Sequence, residues 1–399
     1  MIKNMATGDV LKIRLESIAP GGDALGRLDG KPIFVEGGAP DETVLCRSIE
    51  EHKTWTKAQL LEIVEPSPVR VKSVCRFYGK CGGCSLQHIE YKAQLAAKAA
   101  ILKDSFLRIG GFDLDKLPPL EIVPSLPFEY RNRMQFHCLR EKAKNNNRSF
   151  GLKGRGSGEI IAVTDCPVAE NGIRKLLQEG RNLPLPPEKD RFTVFSFNDL
   201  FLTENGLETG RIRLLDRDIL LDAGVFFQSN ISMLEKLILS LIEIAHTADT
   251  TLPAADFYCG VGTFALFLLT KAEVIFPKII LAEENKKAIS LARENLKGKN
   301  AELFALRDTA WEKVILRKNL KLGFAVADPP RAGLAHNFTL SLAQYGPPLL
   351  AYVSCDNASL ARDSKILVKG GYRLKNLKLI DFYPQTAHIE SLAVFEKQA

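Results

Sequence analysis

A chain of 399 residues that is 46% hydrophobic and 25% charged can bury cores for two or three domains, which excludes a disordered or fibrous protein. No apolar run approaches the roughly 18 residues of a membrane-spanning helix and the amino terminus has no apolar signal region, so the chain is read as cytosolic. In that compartment eight cysteines point to metal binding or catalysis before disulfides, and the net charge of +7 is modest but unevenly spread.

Residues 1–65 read as a small all-β unit. Val10–Leu15, Lys31–Val35, Thr43–Arg47 and Gln59–Val64 are strand-length runs, punctuated by Gly21-Gly22, Asp29-Gly30 and Gly37-Gly38. Five-stranded, OB-like barrels of this size commonly bind oligonucleotides. The stretch from Gly21 to Val44 resembles a TRAM domain, an RNA-binding barrel, and Pro66-Ser67-Pro68 reads as the linker that ends it.

Cys75, Cys81 and Cys84 follow, with Cys166-Pro167 far downstream. Three thiolates this close, wrapped by Gly82 and Gly83, suit either zinc or an iron–sulfur cluster; spacing does not choose, and a cysteine followed by proline favours a cluster. Tyr91 to Ile109 reads as an amphipathic helix with Leu95, Ala99, Leu102, Phe106 and Ile109 on one face. Two stretches are basic. Arg70 to Lys80 has four cations and no acid, and Arg131 to Arg155 has eight (Arg131, Arg133, Arg140, Lys142, Lys144, Arg148, Lys153, Arg155) against Glu141 alone. Phe77, Tyr78, Tyr130, Phe136 and Phe150 lie among them. Cations for phosphates and aromatic faces for bases are the footprint of a single-stranded nucleic-acid site, the alternative being a solvated basic face. Residues 66–222 are grouped as a mixed α+β middle domain.

From residue 223 to 399 helices and strands alternate, as in a doubly wound α/β sheet. Ile231–Ala245 reads as a helix, Ala254–Tyr258 and Ile279–Glu283 as buried strands, and Cys259-Gly260-Val261-Gly262-Thr263 as the turn between. An acid about twenty residues after such a turn accepts from ribose hydroxyls. The turn lacks the three-glycine pattern that cradles a pyrophosphate, so S-adenosylmethionine fits it better than a dinucleotide. Ala351–Ser354 is a further strand, and a helix runs from Ser359 to Lys369. Cys355 therefore sits at a strand's carboxyl end, where open α/β sheets bind ligands; the other reading is a small buried hydrophobe.

Four motifs occur in order: Asp256-Phe257-Tyr258-Cys259-Gly260-Val261-Gly262, Asp328-Pro329-Pro330-Arg331-Ala332-Gly333, Tyr352-Val353-Ser354-Cys355 with Leu360-Ala361-Arg362-Asp363, and Pro384-Gln385-Thr386-Ala387-His388-Ile389-Glu390-Ser391. Together they resemble the RNA 5-methyluridine methyltransferases over nearly the whole chain. The barrel and the four cysteines are similar to the ribosomal-RNA branch. The resemblance implies a Rossmann-like S-adenosylmethionine-dependent methyltransferase domain, Cys355 as nucleophile and Glu390 as general base. It also implies Gln228, Tyr258, Thr263, Glu283, Asp308 and Asp328 around cofactor and target base, and a 4Fe-4S cluster on Cys75, Cys81, Cys84 and Cys166. The partner is RNA, ribosomal first and transfer RNA second, and the chain is expected to act as a monomer. His388 is read as a structural histidine. The chain departs from the family in having Asp356-Asn357 where Asn-Pro is frequent, Thr263 where asparagine is common, and Asp308 where either asparagine or aspartate stands. A non-catalytic RNA-binding protein with a degenerate methyltransferase fold is the rival reading, against which Cys355, Glu390, Asp328 and Glu283 are all intact.

Overall fold

The computed structural model of the chain describes residues 7–138, 150–179, 190–204, 206–270, 276–311 and 321–398. Alternation of apolar and polar residues turns Ile13, Leu15, Ile33, Val35, Val44 and Ala58 inward, so the first strands curl around one core. These are β1 (Val10–Ile18), β2 (Ala24–Leu28), β3 (Lys31–Glu36), β4 (Thr43–Glu51) and β5 (Thr56–Glu65). They form a closed barrel in the order β1-β2-β3-β5-β4. Strand β2 is missing from the sequence reading because Gly26 interrupts its pattern. A Cβ there would lie 2.6 Å from the Arg14 carbonyl oxygen of β1.

Arg70 docks the barrel. Its guanidinium pairs with Glu42, whose side chain is wholly buried, and donates to the Gly37 carbonyl at 2.7 Å. The barrel's core is continuous with one face of the large carboxyl-terminal sheet.

Helix α1 (Tyr91–Ser105) runs into a π-turn at Phe106–Gly110. Its buried face is only partly the apolar one expected: Leu102 and Phe106 are buried as expected, but polar residues share the face. Gln94, Lys98, Ile101, Leu102 and Ser105 are buried, Leu95 and Ala99 are half-buried, and Ile109 is exposed. The helical period is legible in the sequence but its phase is not, because the buried polar side chains find their partners almost 300 residues away (283 for Lys98 and Asp381).

Strand β6 (Leu120–Val123) leaves the middle segment and pairs parallel with a strand of the large sheet. The middle sheet has β7 (Arg133–Cys138), β8 (Phe150–Lys153), β9 (Ile160–Ile161), β10 (Arg191–Phe197) and β11 (Leu200–Thr203), in the order β11-β10-β7-β8-β9. Helix α2 (Asn171–Glu179) buries Ile173, Leu176 and Leu177 in the same core. Three of the aromatic side chains expected to stack on bases are packed inside instead. Phe136 is buried against Phe150 and Phe192, and buried Tyr130 donates to the Pro384 carbonyl. Phe77, under the Arg76 guanidinium at 4.9 Å, remains half-exposed. Of the basic residues, Arg140, Lys142, Lys144 and Arg148 fall outside the described residues.

The hairpin of β12 (Thr209–Leu214) and β13 (Arg217–Asp222) shares a core with helix α3 (Ile231–Ala245). Next come β14 (Ala254–Phe257), α4 (Thr263–Thr270), β15 (Ile279–Glu283), α5 (Lys286–Asn295), β16 (Ala301–Ala305), α6 (Asp308–Trp311), β17 (Phe324–Ala327) and α7 (His336–Tyr345). The chain ends with β18 (Leu349–Ser354), α8 (Asn357–Lys369), β19 (Tyr372–Ile380) and β20 (Glu390–Lys397). The sheet order is β16-β15-β14-β17-β18-β20-β19-β6. The central strands β14, β17 and β18 are apolar apart from Asp256 and Ser354, as burial on both faces favours. The first five are parallel, and β20 runs antiparallel between β18 and β19. Among the described residues no helix is long and apolar enough to cross a membrane.

Arg70→Met would strand the buried Glu42 carboxylate, a change that typically costs about 3–5 kcal/mol. Thermal unfolding is expected to shift down, with hydrogen exchange accelerating first in residues 7–65. Unchanged exchange there would show that the ion pair does not hold the barrel.

Candidate active site

The chain reverses strand order at β14, with β15 on one side and β17 on the other, so a crevice opens at their carboxyl ends. A cleft of about 990 Å³ occupies it. Cys355, Glu390, Gln228, Tyr258, Glu283, Asp308 and Asp328 all line this cleft. Thr263 does not: it opens α4, is buried, and leaves the backbone of Gly260 facing the cavity.

At one end, the turn after β14 is built from left-handed residues, Tyr258 (φ 61°), Gly260 (φ 54°) and Gly262 (φ 80°). A bulky residue held in that region stores strain, which clusters at functional sites. Glu283 fixes the turn, accepting from the Gly260 amide at 3.2 Å and the Asn285 amide at 2.8 Å. The Tyr258 hydroxyl donates to Asp308 at 3.0 Å, and burial raises its pKa further above the ordinary phenol value.

At the other end, β18 and β20 pair antiparallel with Ser354 opposite Ser391. Continued by one residue, that register brings Cys355, on the turn after β18, beside Glu390, the first residue of β20, and the Glu390 carboxylate acts on the Cys355 thiol. The turn at Cys355 is fixed by its neighbours. Ser354 Oγ donates to the Asp356 carbonyl at 2.9 Å and accepts from its amide at 3.2 Å, while the Asp356 carboxylate caps α8 through the Ser359 amide at 2.8 Å. The Arg331 loop is tied to α8 as well: Asp363 accepts from the Leu334 amide and the Tyr352 hydroxyl, and Arg362 donates to the Ala332 carbonyl. Gly333 (φ 77°) makes this possible, since a Cβ would lie 2.5 Å from the Asp363 carboxylate.

Burial pushes the Cys355 thiol up to about 12; Glu390 and Asp328 add to this and Arg331 opposes it. Burial also raises both carboxyls. Asp328 raises Glu390 further, while the Gln228 amide, 3.3 Å from Asp328, restrains the rise of Asp328. Among the described residues Gln228 Oε1 has no hydrogen-bond partner, the state of an amide facing a ligand position. Arg331 donates to His388 Nδ1 at 3.3 Å, and burial with that neighbouring charge lowers His388 to about 4, so it is neutral. Arg131, Arg133, Phe226 and Tyr383 also line the cleft. Tyr383 carried no sequence signal, coming from the loop between β19 and β20.

Cys75, Cys81, Cys84 and Cys166 converge elsewhere, on a cavity of about 390 Å³ that Arg131 also lines. Burial pushes Cys84 up to about 11 and Cys166 up to about 12. Among the described residues no three His, Cys, Asp or Glu side chains form a group that holds a metal ion. The four cysteines expected to hold a metal group are thus brought to one cavity, though no assembled metal site is shown among the described residues.

Comparison with known proteins agrees with this architecture. The structure superimposes on the Pyrococcus abyssi tRNA (uracil-54, C5)-methyltransferase with a TM-score of 0.73 at 24% identity, covering 96% of this chain and all of that one, so the fold is that of a Rossmann-like methyltransferase. Residues 209–398 match the family described as tRNA (Uracil-5-)-methyltransferase. An uncharacterized RNA methyltransferase of Treponema denticola is 33% identical over 92% of this chain and 94% of its own length. The 23S rRNA (uracil(1939)-C(5))-methyltransferase RlmD of Vibrio campbellii is 28% identical over 96% and 95%. The chain belongs to the RNA uracil-5 methyltransferase family.

Because burial, and then the neighbouring carboxylates, hold the Cys355 thiol up, alkylation of Cys355 by iodoacetamide in the free protein is expected to be slow at pH 7–8 and to rise toward pH 10. Glu390→Gln removes a neighbouring negative charge and should speed it, most at alkaline pH where Glu390 is ionised. Arg331→Ala removes a positive one and should slow it. Peptide-level mass spectrometry reads the rates, and equal rates in all three proteins would place Cys355 away from these charges.

Proposed function

We propose that the protein transfers a methyl group from S-adenosylmethionine to C5 of a uracil in 23S ribosomal RNA, with Cys355 as nucleophile and Glu390 as base. The observation that carries this reading is that the ends of β18 and β20 bring a thiol and a carboxyl together in one cleft, which Tyr258, Glu283 and Asp308 line as well.

Uracil C5 is too weak a nucleophile to attack even a sulfonium methyl. A Cys355 thiolate adding at C6 makes an enolate whose C5 is electron-rich, so one hard step becomes two easier ones. C5 then takes the methyl and S-adenosylhomocysteine leaves. Glu390 removes the remaining C5 proton, the C5–C6 double bond re-forms, and the thiolate departs. Burial raises the proton affinity of Glu390, so once ionised it is a stronger base for this step. The target base must be unstacked to reach the cleft. Tyr258, Gly260, Glu283 and Asp308 would hold the cofactor's adenosyl end, and Gln228 and Asp328 the uracil edge.

Full-length relatives named for 23S ribosomal RNA support that substrate. The transfer-RNA reading is supported by the name of the matching family and by the solved fold relative. Mapping 5-methyluridine in both RNAs, with and without the gene, separates them. The amino-terminal barrel would bind RNA in the manner of a TRAM domain. The four cysteines would hold a 4Fe-4S cluster: thiolates on different irons need to line one cavity without meeting at a point. Anaerobically purified protein is then expected to be brown with about four irons per chain; one zinc and no visible absorption would refute this.

The two catalytic residues act at different stages. Cys355→Ala should bind RNA yet form neither product nor covalent complex. Glu390→Gln should accumulate an already methylated protein–RNA adduct that survives denaturing electrophoresis. Turnover of Glu390→Gln at the wild-type rate would overturn the assignment of the base.

A further inference from the structure

We propose that helix α1, which lies outside the family-matched segment, sets the positions of both catalytic residues: Tyr91, Gln94 and Lys98 hold the loop leading into Glu390, and Ser105 holds the turn following Cys355. The proposal rests on the assignment of Cys355 and Glu390 above.

Asp381 follows Ile380, the residue paired with Glu390 across β19 and β20. Lys98 donates to Asp381 at 2.6 Å and to the Tyr383 carbonyl at 2.9 Å; the Lys98 and Asp381 side chains are each 1% exposed. Tyr91 donates to the second Asp381 oxygen at 2.8 Å. Further along the loop, Gln385 adopts φ 66°, a strained conformation for a non-glycine residue. Gln94 holds it by a reciprocal pair of bonds, donating to Gln385 Oε1 at 2.9 Å and accepting from the Gln385 amide at 3.0 Å. At the other end of the helix the Asn357 side-chain amide donates to Ser105 Oγ, whose own proton goes to the Ile101 carbonyl. Asn357 is the first residue of α8 and stands where the family resemblance has proline, which presets the backbone for that position. Here the bond to Ser105 takes over that role.

Tyr91, Gln94, Lys98 and Ser105 lie along one stripe of α1. Apolar residues would bury such a stripe at less cost than a lysine and a glutamine, whose desolvation must be offset by well-placed partners. Among the described residues, the stripe's hydrogen-bond partners beyond residue 209 are Asp381, Tyr383 and Gln385 on the loop into Glu390 and Asn357 beside the turn after Cys355, and a misplacement of about 1 Å can cost about a hundredfold in rate. These four are positioning residues.

The test separates the stages of the reaction, using unmodified 23S ribosomal RNA transcript, or a transfer-RNA transcript if wild type methylates that instead. Gln94→Ala should leave the first methyl transfer within about twofold of wild type yet slow turnover about tenfold or more, accumulating the methylated adduct seen with Glu390→Gln. Ser105→Ala should slow adduct formation itself and accumulate none, and Asn357→Pro in that background should restore the rate. Gln94→Glu, which keeps the acceptor for the Gln385 amide and loses the donor, serves if Gln94→Ala does not fold. The proposal is overturned if the Gln94 variants slow both stages equally, or if neither stage changes. Should Glu390→Gln itself turn over normally, the base assignment fails; should it trap adduct while the Gln94 variants do not, only the role of α1 fails.

Discussion

Strand β20 enters the sheet between β18 and β19, antiparallel to both, and its register leaves little freedom. A slip of one residue would turn Glu390 to the opposite face and bring Ser391 or Ile389 beside Cys355. Both β18 and β20 are buried along nearly their whole length, so a slipped register would also carry Glu390 and Ser391 into the apolar layers. The sheet's stability and the juxtaposition of thiol and carboxyl are therefore one constraint. A parallel last strand would have brought its carboxyl end, not its amino end, to the cleft.

The cleft joins two electrostatic environments. At the cofactor end the carboxylate of Glu283 is engaged by backbone amides and that of Asp308 by a phenol, which leaves them directional acceptors. At the other end, thiol and carboxyls are held by burial toward their neutral forms. A neutral thiol is a poor nucleophile, so the free site is quiet toward adventitious electrophiles. Its reactivity has to be raised by what the substrate brings, including displacement of water and a new partner for Gln228.

Much of this was legible in sequence because local pattern and long-range role coincide. Ile231–Ala245 and Ile279–Glu283 fall where periodicity and apolar runs place them, and seven of the eight residues assigned to the catalytic and cofactor sites line one cleft. What was not legible depends on distant partners. Nothing near Gln94 or Lys98 says that they are buried, since Gln385 and Asp381 are far along the chain. Phe136 sits among cations in sequence, yet alternate strand residues face opposite ways and it faces inward, while Tyr130, ahead of β7, is buried where it donates to the distant Pro384 carbonyl. Strand β6 is too short to announce its sheet, and it pairs with β19 only because that edge is open.

The Lys98–Asp381 pair joins residues 283 apart in the chain. At synthesis rates of about 5–20 residues per second, Lys98 is incorporated some 14–57 seconds before its counterion exists. The barrel, whose strands are neighbours in sequence, can close in that interval. Helix α1 and strand β6 cannot dock, because β19 and the loop after it have not been made. The amino-terminal part therefore waits, with one finished barrel and one unfinished sheet edge, until the segment from β19 to β20 has been made.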